Sequence, residues 1–119
     1  MIASPFDRPR RFEIFRASVA RAELFVLVLS DDIPNALRRV VVVSTLSPRE
    51  EPFGPSVPTR VPLSASATGL AFEGVTSPAS PMTIPKNALV ERLGRLAGPE
   101  RSSVDRAIRL TFGYEEWPL

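Results

Sequence analysis

Two apolar runs, Leu24-Phe25-Val26-Leu27-Val28-Leu29 and Val40-Val41-Val42-Val43, constrain this chain more than any other feature. Unbroken stretches of β-branched, aliphatic and aromatic residues fit strands buried on both faces. Between the runs lies the polar segment Ser30 to Arg39, in which Pro34 and Asn35 suit a turn. The pattern predicts a hairpin at the centre of a small barrel. The second run continues into Ser44-Thr45-Leu46-Ser47, which sets hydroxyls at a strand end.

The flanking sequence extends this reading. Residues 1–11 are polar, with prolines at 5 and 9, and read as an arm; residues 12–119 read as a single domain. Phe12 to Ala17 alternates apolar and polar residues, the pattern of a half-exposed strand, and a short connection through Ala20 and Arg21 leads into the first apolar run. Residues 48–56 hold three prolines and a glycine and read as a surface loop. Val57 to Leu63 reads as a strand that Pro58 and Pro62 confine to a sheet edge. A turn at Ser64 to Gly69, a short strand at Leu70 to Phe72 and a brief pairing at Met82 to Ile84 follow.

The last third reads as helical. Asn87 caps a short helical turn over Ala88 to Leu93, and Gly94 and Gly98-Pro99 interrupt it. Ser102 and Asp105 open a helix that puts Val104, Ile108 and Phe112 on one face and pairs Asp105 with Arg109. Gly113 ends it. Tyr114 and Trp117, the only Tyr and Trp, are either a partner's aromatic anchor or a tail packed on its own domain.

Composition removes most chemistries. The chain has no His and no Cys, so neither His-dependent nucleophilic triads nor thiolate metal sites are open to it. No metal and no cofactor are expected, and no GxGxxG or GxxxxGK loop is present. No apolar stretch approaches the roughly 20 residues that span a bilayer, and the N-terminus lacks the apolar segment of a secretory signal. The expected location is therefore cytoplasmic, away from any membrane. The net charge is only +2, but 14 of the 15 basic residues are arginine, Lys86 being the exception. Arg8, Arg10, Arg11, Arg16 and Arg21 crowd the beginning. Arginine forks suit phosphate or carboxylate recognition. The pairs Glu50-Glu51 and Glu115-Glu116 read as solvated, because neighbours on an extended chain point to opposite faces.

What remains is arginine with hydroxyls. A guanidinium stabilises charge on a phosphoryl transition state and a hydroxyl holds a phosphate oxygen. RNA supplies its own nucleophile, the 2′-OH, so a chain without His is still able to cleave it. Ser47 is the best-placed hydroxyl; the alternative is a turn cap before Pro48.

Leu24 to Asp31, Arg38-Arg39 with the valine run, Pro62-Leu63-Ser64-Ala65, Thr68-Gly69-Leu70, Thr83-Ile84-Pro85-Lys86, Leu89 to Gly94 and Ala107-Ile108-Arg109-Leu110 follow one another in an order that resembles the toxins of bacterial toxin–antitoxin pairs. That superfamily includes MazF/PemK-type endoribonucleases and CcdB-type gyrase poisons, and the likeness spans about residues 12–113. It implies a mainly β (α+β) fold, a small SH3-like barrel of about five to seven strands with a C-terminal helix. It also implies a homodimer, a cognate antitoxin with a disordered acidic tail, and single-stranded RNA as substrate. In the ribonuclease branch a basic residue followed by Pro opens the second strand; Leu24 and Phe25 occupy those positions here, and Arg21 is the substitute that could reach in from the loop. The family's catalytic hydroxyl matches Ser47, with Thr45 in place of the usual Pro. The resemblance thus makes Arg21 and Ser47 the catalytic candidates, with Thr45, Arg49, Thr83 and Lys86 as substrate-binding ones. Ala79, Ser80, Pro81 and Met82 stand where groove-lining polar residues are usual. In the gyrase-poison branch a Trp follows the helix-ending Phe; Gly113 follows Phe112 here. The alternatives are a non-catalytic toxin that binds gyrase or another target, and a toxin fold reduced to an interaction module.

Overall fold

The computed structural model describes residues 6–49 and 58–114. Seven antiparallel strands form one sheet: β1 (Glu13–Val19), β2 (Ala22–Val28), β3 (Val40–Pro48), β4 (Val61–Leu63), β5 (Gly74–Thr76), β6 (Met82–Pro85) and β7 (Leu89–Arg95). Three helices join them: α1 (Asp32–Leu37), α2 (Ala65–Thr68) and α3 (Gly98–Thr111). The spatial order is β4-β5-β3-β2-β1-β7, with β6 added on β3. This is the predicted small barrel with a C-terminal helix.

The two apolar runs explain the layering. Along β2 and β3, residues alternate between two separate cores. Leu27 and Leu46 join Ile14, Leu63, Leu96 and the α3 residues Val104 and Ala107. Val26, Val28, Val41 and Val43 join Phe15, Ile84 and Leu89 on the other face. A strand with a core on each side has no solvent face, which is why both runs are continuous rather than alternating.

The outer edge of β3 serves two partners. Val40 to Val43 pair with β6, whereas Leu46 to Pro48 pair with β5. At the changeover Ser44 is buried and its Oγ lies 2.6 Å from Thr76 Oγ1. Thr76 Oγ1 in turn donates to the Thr45 carbonyl at 2.9 Å, so Ser44 is the donor to Thr76. These bonds satisfy hydroxyls that burial would otherwise make costly.

Several local expectations are corrected. The segment between β2 and β3 is the helix α1, not a simple turn; Asp31 caps it by accepting from the Asp32 N–H at 2.8 Å. Asn35 is fully buried, and its amide donates to the Pro9 and Ser30 carbonyls at 2.8 Å each. The predicted helical turn over Ala88 to Leu93 is strand β7, preceded by a single 3-10 turn at Lys86–Ala88. The free edge of β1 takes β7 as its partner, and cross-strand ion pairs to Arg16 and Glu13 accommodate Glu91 and Arg92. Ser64 to Gly69 is the short helix α2, with Ser64 as N-cap. The predicted strand at Leu70 to Phe72 lies outside the sheet; the strand begins at Gly74. The last helix begins at Gly98 rather than at Ser102, and Pro99 lies in its first turn, where proline forfeits no helix bond. Phe112 is 62% exposed and leaves the face it was expected to share with Val104.

Other readings hold. Pro62 lies in β4, the edge strand, and Asp105 pairs with Arg109 at 2.8 Å. The tail from Glu115, the N-terminal residues 1–5 and residues 50–57, including most of the proline-rich loop and the start of the predicted edge strand, lie outside the described residues. Residues 6–11 sit against the barrel. The Asp7 carbonyl accepts from Lys86 Nζ, the Arg11 N–H donates to Asp32 Oδ1, and the Phe6 and Phe15 rings meet edge to face at 5.0 Å.

Candidate active site

The site grows from the β1–β2 hairpin. Val19 faces Ala22 as the last pair, so Ala20 and Arg21 form a two-residue turn. Both have positive φ, 49° and 68°. That handedness suits the twist of a tight hairpin but ordinarily selects Asn and Gly. Here it holds Arg21 at the exposed tip.

β2 leads back from this tip alongside β3. Phe25 faces Leu46 and Val26 faces Thr45, so the antiparallel register carries Ser47 toward the turn rather than away from it. Ser47 and Thr45 are two residues apart and share the face of Val26. Ser47 is exposed and faces Val75 of β5. Arg49, also exposed, donates its backbone N–H to the Glu73 carbonyl at 2.8 Å. The fold therefore gathers Arg21, Thr45, Ser47 and Arg49 at one end of the sheet.

Thr83 and Lys86 lie elsewhere. Thr83 faces Val42, so it sits on the other half of β3 and on the opposite face from Ser47. Lys86 is 8% exposed, and its ammonium donates to the Asp7 carbonyl at 2.5 Å. Ala79, Ser80, Pro81 and Met82 are exposed where the chain enters β6.

One group of charges near the turn escaped the sequence reading. Arg16 bridges Glu23 at 3.6 Å and Glu91 at 3.2 Å. Glu23 lies beside the turn on the same face as Phe25, which contacts Phe72 edge to face at 5.7 Å. The signal that could have exposed this cluster is the period of two that joins Arg16 to the β1 strand pattern. Among the described residues no group of three or more carboxylates, His or Cys could hold a metal ion. None of their helices is long and apolar enough to cross a membrane.

Seven antiparallel strands with arginine and hydroxyls at one end and a C-terminal helix packed on the sheet are the architecture that the resemblance to the toxins implies. The match to the family described as PemK-like, MazF-like toxin of type II toxin-antitoxin system covers residues 10–112, and the chain belongs to that family. No curated protein matches the sequence. An endoribonuclease in complex with its cognate antitoxin from a mycobacterial species has a similar fold, with a TM-score of 0.75 and 21% identity over 92% of this chain and 99% of that one. The Mycobacterium tuberculosis toxin MazF-mt6 aligns with a TM-score of 0.70 and 23% identity over 88% and 99%. A MazE-MazF complex from Deinococcus radiodurans aligns with a TM-score of 0.71 and 17% identity over 89% and 96%.

Proposed function

We propose that this toxin is an endoribonuclease that cleaves single-stranded RNA in the cytoplasm by metal-independent attack of the 2′-OH. The 2′-oxygen bonds to the adjacent phosphorus and the bond from phosphorus to the 5′-oxygen breaks. The 2′ proton leaves to solvent, the departing oxygen gains one, and the products end in a 2′,3′-cyclic phosphate and a 5′-hydroxyl. Ser47 holds a phosphate oxygen, with Thr45 beside it on the same face. Arg21 supplies positive charge where the phosphorane becomes more negative. Arg49 adds a second guanidinium for the RNA backbone. The observation that carries this reading is the β2–β3 register, which brings the Arg21 turn and Ser47 to one end of the sheet. Thr83 and Lys86 are assigned no contact with the reacting phosphate, because one sits on the opposite face and the other is engaged beneath the N-terminal segment.

Two partners complete the reading. The protein works as a homodimer and is neutralised by a cognate antitoxin with a disordered acidic tail, whose carboxylates suit the arginine-rich surface. The antitoxin partner is supported by the name of one similar structure, an endoribonuclease in complex with its cognate antitoxin.

Incubating purified protein with RNA in excess chelator tests the activity. Cleavage should persist. Arg21→Ala and Ser47→Ala should each slow it by about 100-fold or more, the scale of losing one transition-state donor, with unchanged circular dichroism. Full cleavage by both variants would remove these residues from the site.

A further inference from the structure

A second basic surface lies on α3, outside the proposed active site. The N-terminal segment and the outer face of the helix enclose a cleft of about 450 Å³ whose charged lining is Arg11, Arg101, Arg106, Arg109 and one carboxylate, Asp105. Asp105 is already shared, by Arg11 at 3.3 Å and Arg109 at 2.8 Å. Arg11, Arg101 and Arg109 against the one carboxylate of Asp105 leave this part of the cleft positive. Arg11 Nε is buried there without a hydrogen-bond partner. The guanidinium groups of Arg11 and Arg101 lie 4.8 and 4.6 Å from the Phe12 ring centroid.

The helix continues this surface into an aromatic one. Arg101, Asp105 and Arg109 recur every fourth residue, a stripe about 12 Å long at 1.5 Å per residue. Eleven residues after Arg101, at about 100° each, the chain returns to within about 20° of the same direction. Phe112 stands there, 62% exposed, with Tyr114 beyond it at 83%. A positive groove ending in exposed rings is the combination that holds single-stranded nucleic acid, through phosphates along the groove and bases stacked at its end. An acidic peptide would share the charge. It would find no apolar socket inside the cleft, because guanidinium groups already cover the Phe12 ring.

We propose that the outer face of α3, with Arg11, is an auxiliary track for single-stranded RNA: Arg101 and Arg109 contact backbone phosphates and Phe112 stacks on a base. The inference rests on RNA being the substrate, and it concerns nucleotides away from the reacting phosphate.

Binding of an uncleavable, fully 2′-O-methylated single strand, read by fluorescence anisotropy across a salt series, separates this proposal from the cleavage reading. Absence of cleavage would sink the latter and leave the binding result intact. Arg101→Gln with Arg109→Gln should weaken binding about tenfold and reduce the salt slope by about 1.4, or about 0.7 for each phosphate no longer neutralised. Phe112→Ala should weaken binding by a similar factor with an unchanged slope, since stacking releases no counterions. Arg109→Gln alone, at a largely exposed position, serves if the double variant misfolds, and should remove about half of the slope change. Wild-type affinity and slope in folded variants overturn the proposal. So does a polyglutamate peptide whose binding falls in the double variant while RNA binding does not, which would assign the cleft to an acidic protein partner.

Discussion

Three residues other than glycine have positive φ among the described residues, and they fall in two places with opposite surroundings. Phe12, at 72°, is 2% exposed and locked from every side. Its N–H donates to the Val28 carbonyl at 2.8 Å, its own carbonyl accepts from Leu96 N–H at 2.8 Å, and its ring joins the core beneath α3. Ala20 and Arg21 carry the same strain at the tip of an exposed hairpin, where no core repays it. A left-handed backbone costs an L-residue about 1–2 kcal/mol. At Phe12 packing offsets that cost. At Arg21 glycine would serve the turn better, so the arginine side chain brings the turn no stability. Strain that the fold does not need fits the catalytic role proposed for Arg21.

The largest expected effect breaks the buried half of this comparison. Phe12→Ala removes a ring from the core and leaves the backbone strain in place. It should destabilise the protein by about 3–5 kcal/mol, measured by urea unfolding, the range for a large aromatic deleted from a packed interior. A loss below about 1 kcal/mol would mean that the strain at Phe12 is held by something other than its packing.

Arg21→Gly sharpens the exposed half. Relief of the left-handed strain outweighs the extra freedom glycine gives the unfolded chain, so stability should rise by about 0.5–1 kcal/mol. RNA cleavage should fall by about 100-fold in the same variant. Opposite signs in the two measurements separate a functional side chain from a structural one. A variant that is both more stable and fully active would show that Arg21 is merely a poor turn residue.

These contrasts also show what a single sequence makes legible. The apolar runs announce β2 and β3 because both faces of each are buried, and continuous hydrophobicity has few other causes. Pro62 announces an edge because proline has no N–H to give to a neighbour. β7 reads as a helical turn in sequence because only Leu89 of its residues is buried, and its structure comes from pairing with β1, far away in the chain. At the site, Ser47 is legible as a hydroxyl at a strand end. Lys86 is not: its ammonium is engaged by a carbonyl 79 residues away, a contact that no local pattern encodes. The positive φ at Ala20 and Arg21 is equally hidden, because the sequence there lacks the Asn-Gly signature that marks such turns.

The smallest expected effect asks whether charge or packing holds the N-terminal segment beside α3. Asp105 is the carboxylate shared between Arg11 and Arg109, and both pairs are partly open to solvent. Partly solvated ion pairs contribute little, so Asp105→Asn should cost less than about 1 kcal/mol in urea unfolding. Loss of that carboxylate makes the cleft more positive, and the uncleavable RNA strand should bind a few-fold more tightly, with a steeper dependence on salt. The two readouts move independently because they depend on different partners: stability on the Phe12 ring beneath the arginines, and binding on the arginines themselves. If Asp105→Asn instead destabilised the chain as much as Phe12→Ala, the ion pairs would be the clamp, and the contrast between a packed strain and an exposed one would have to be redrawn around charge.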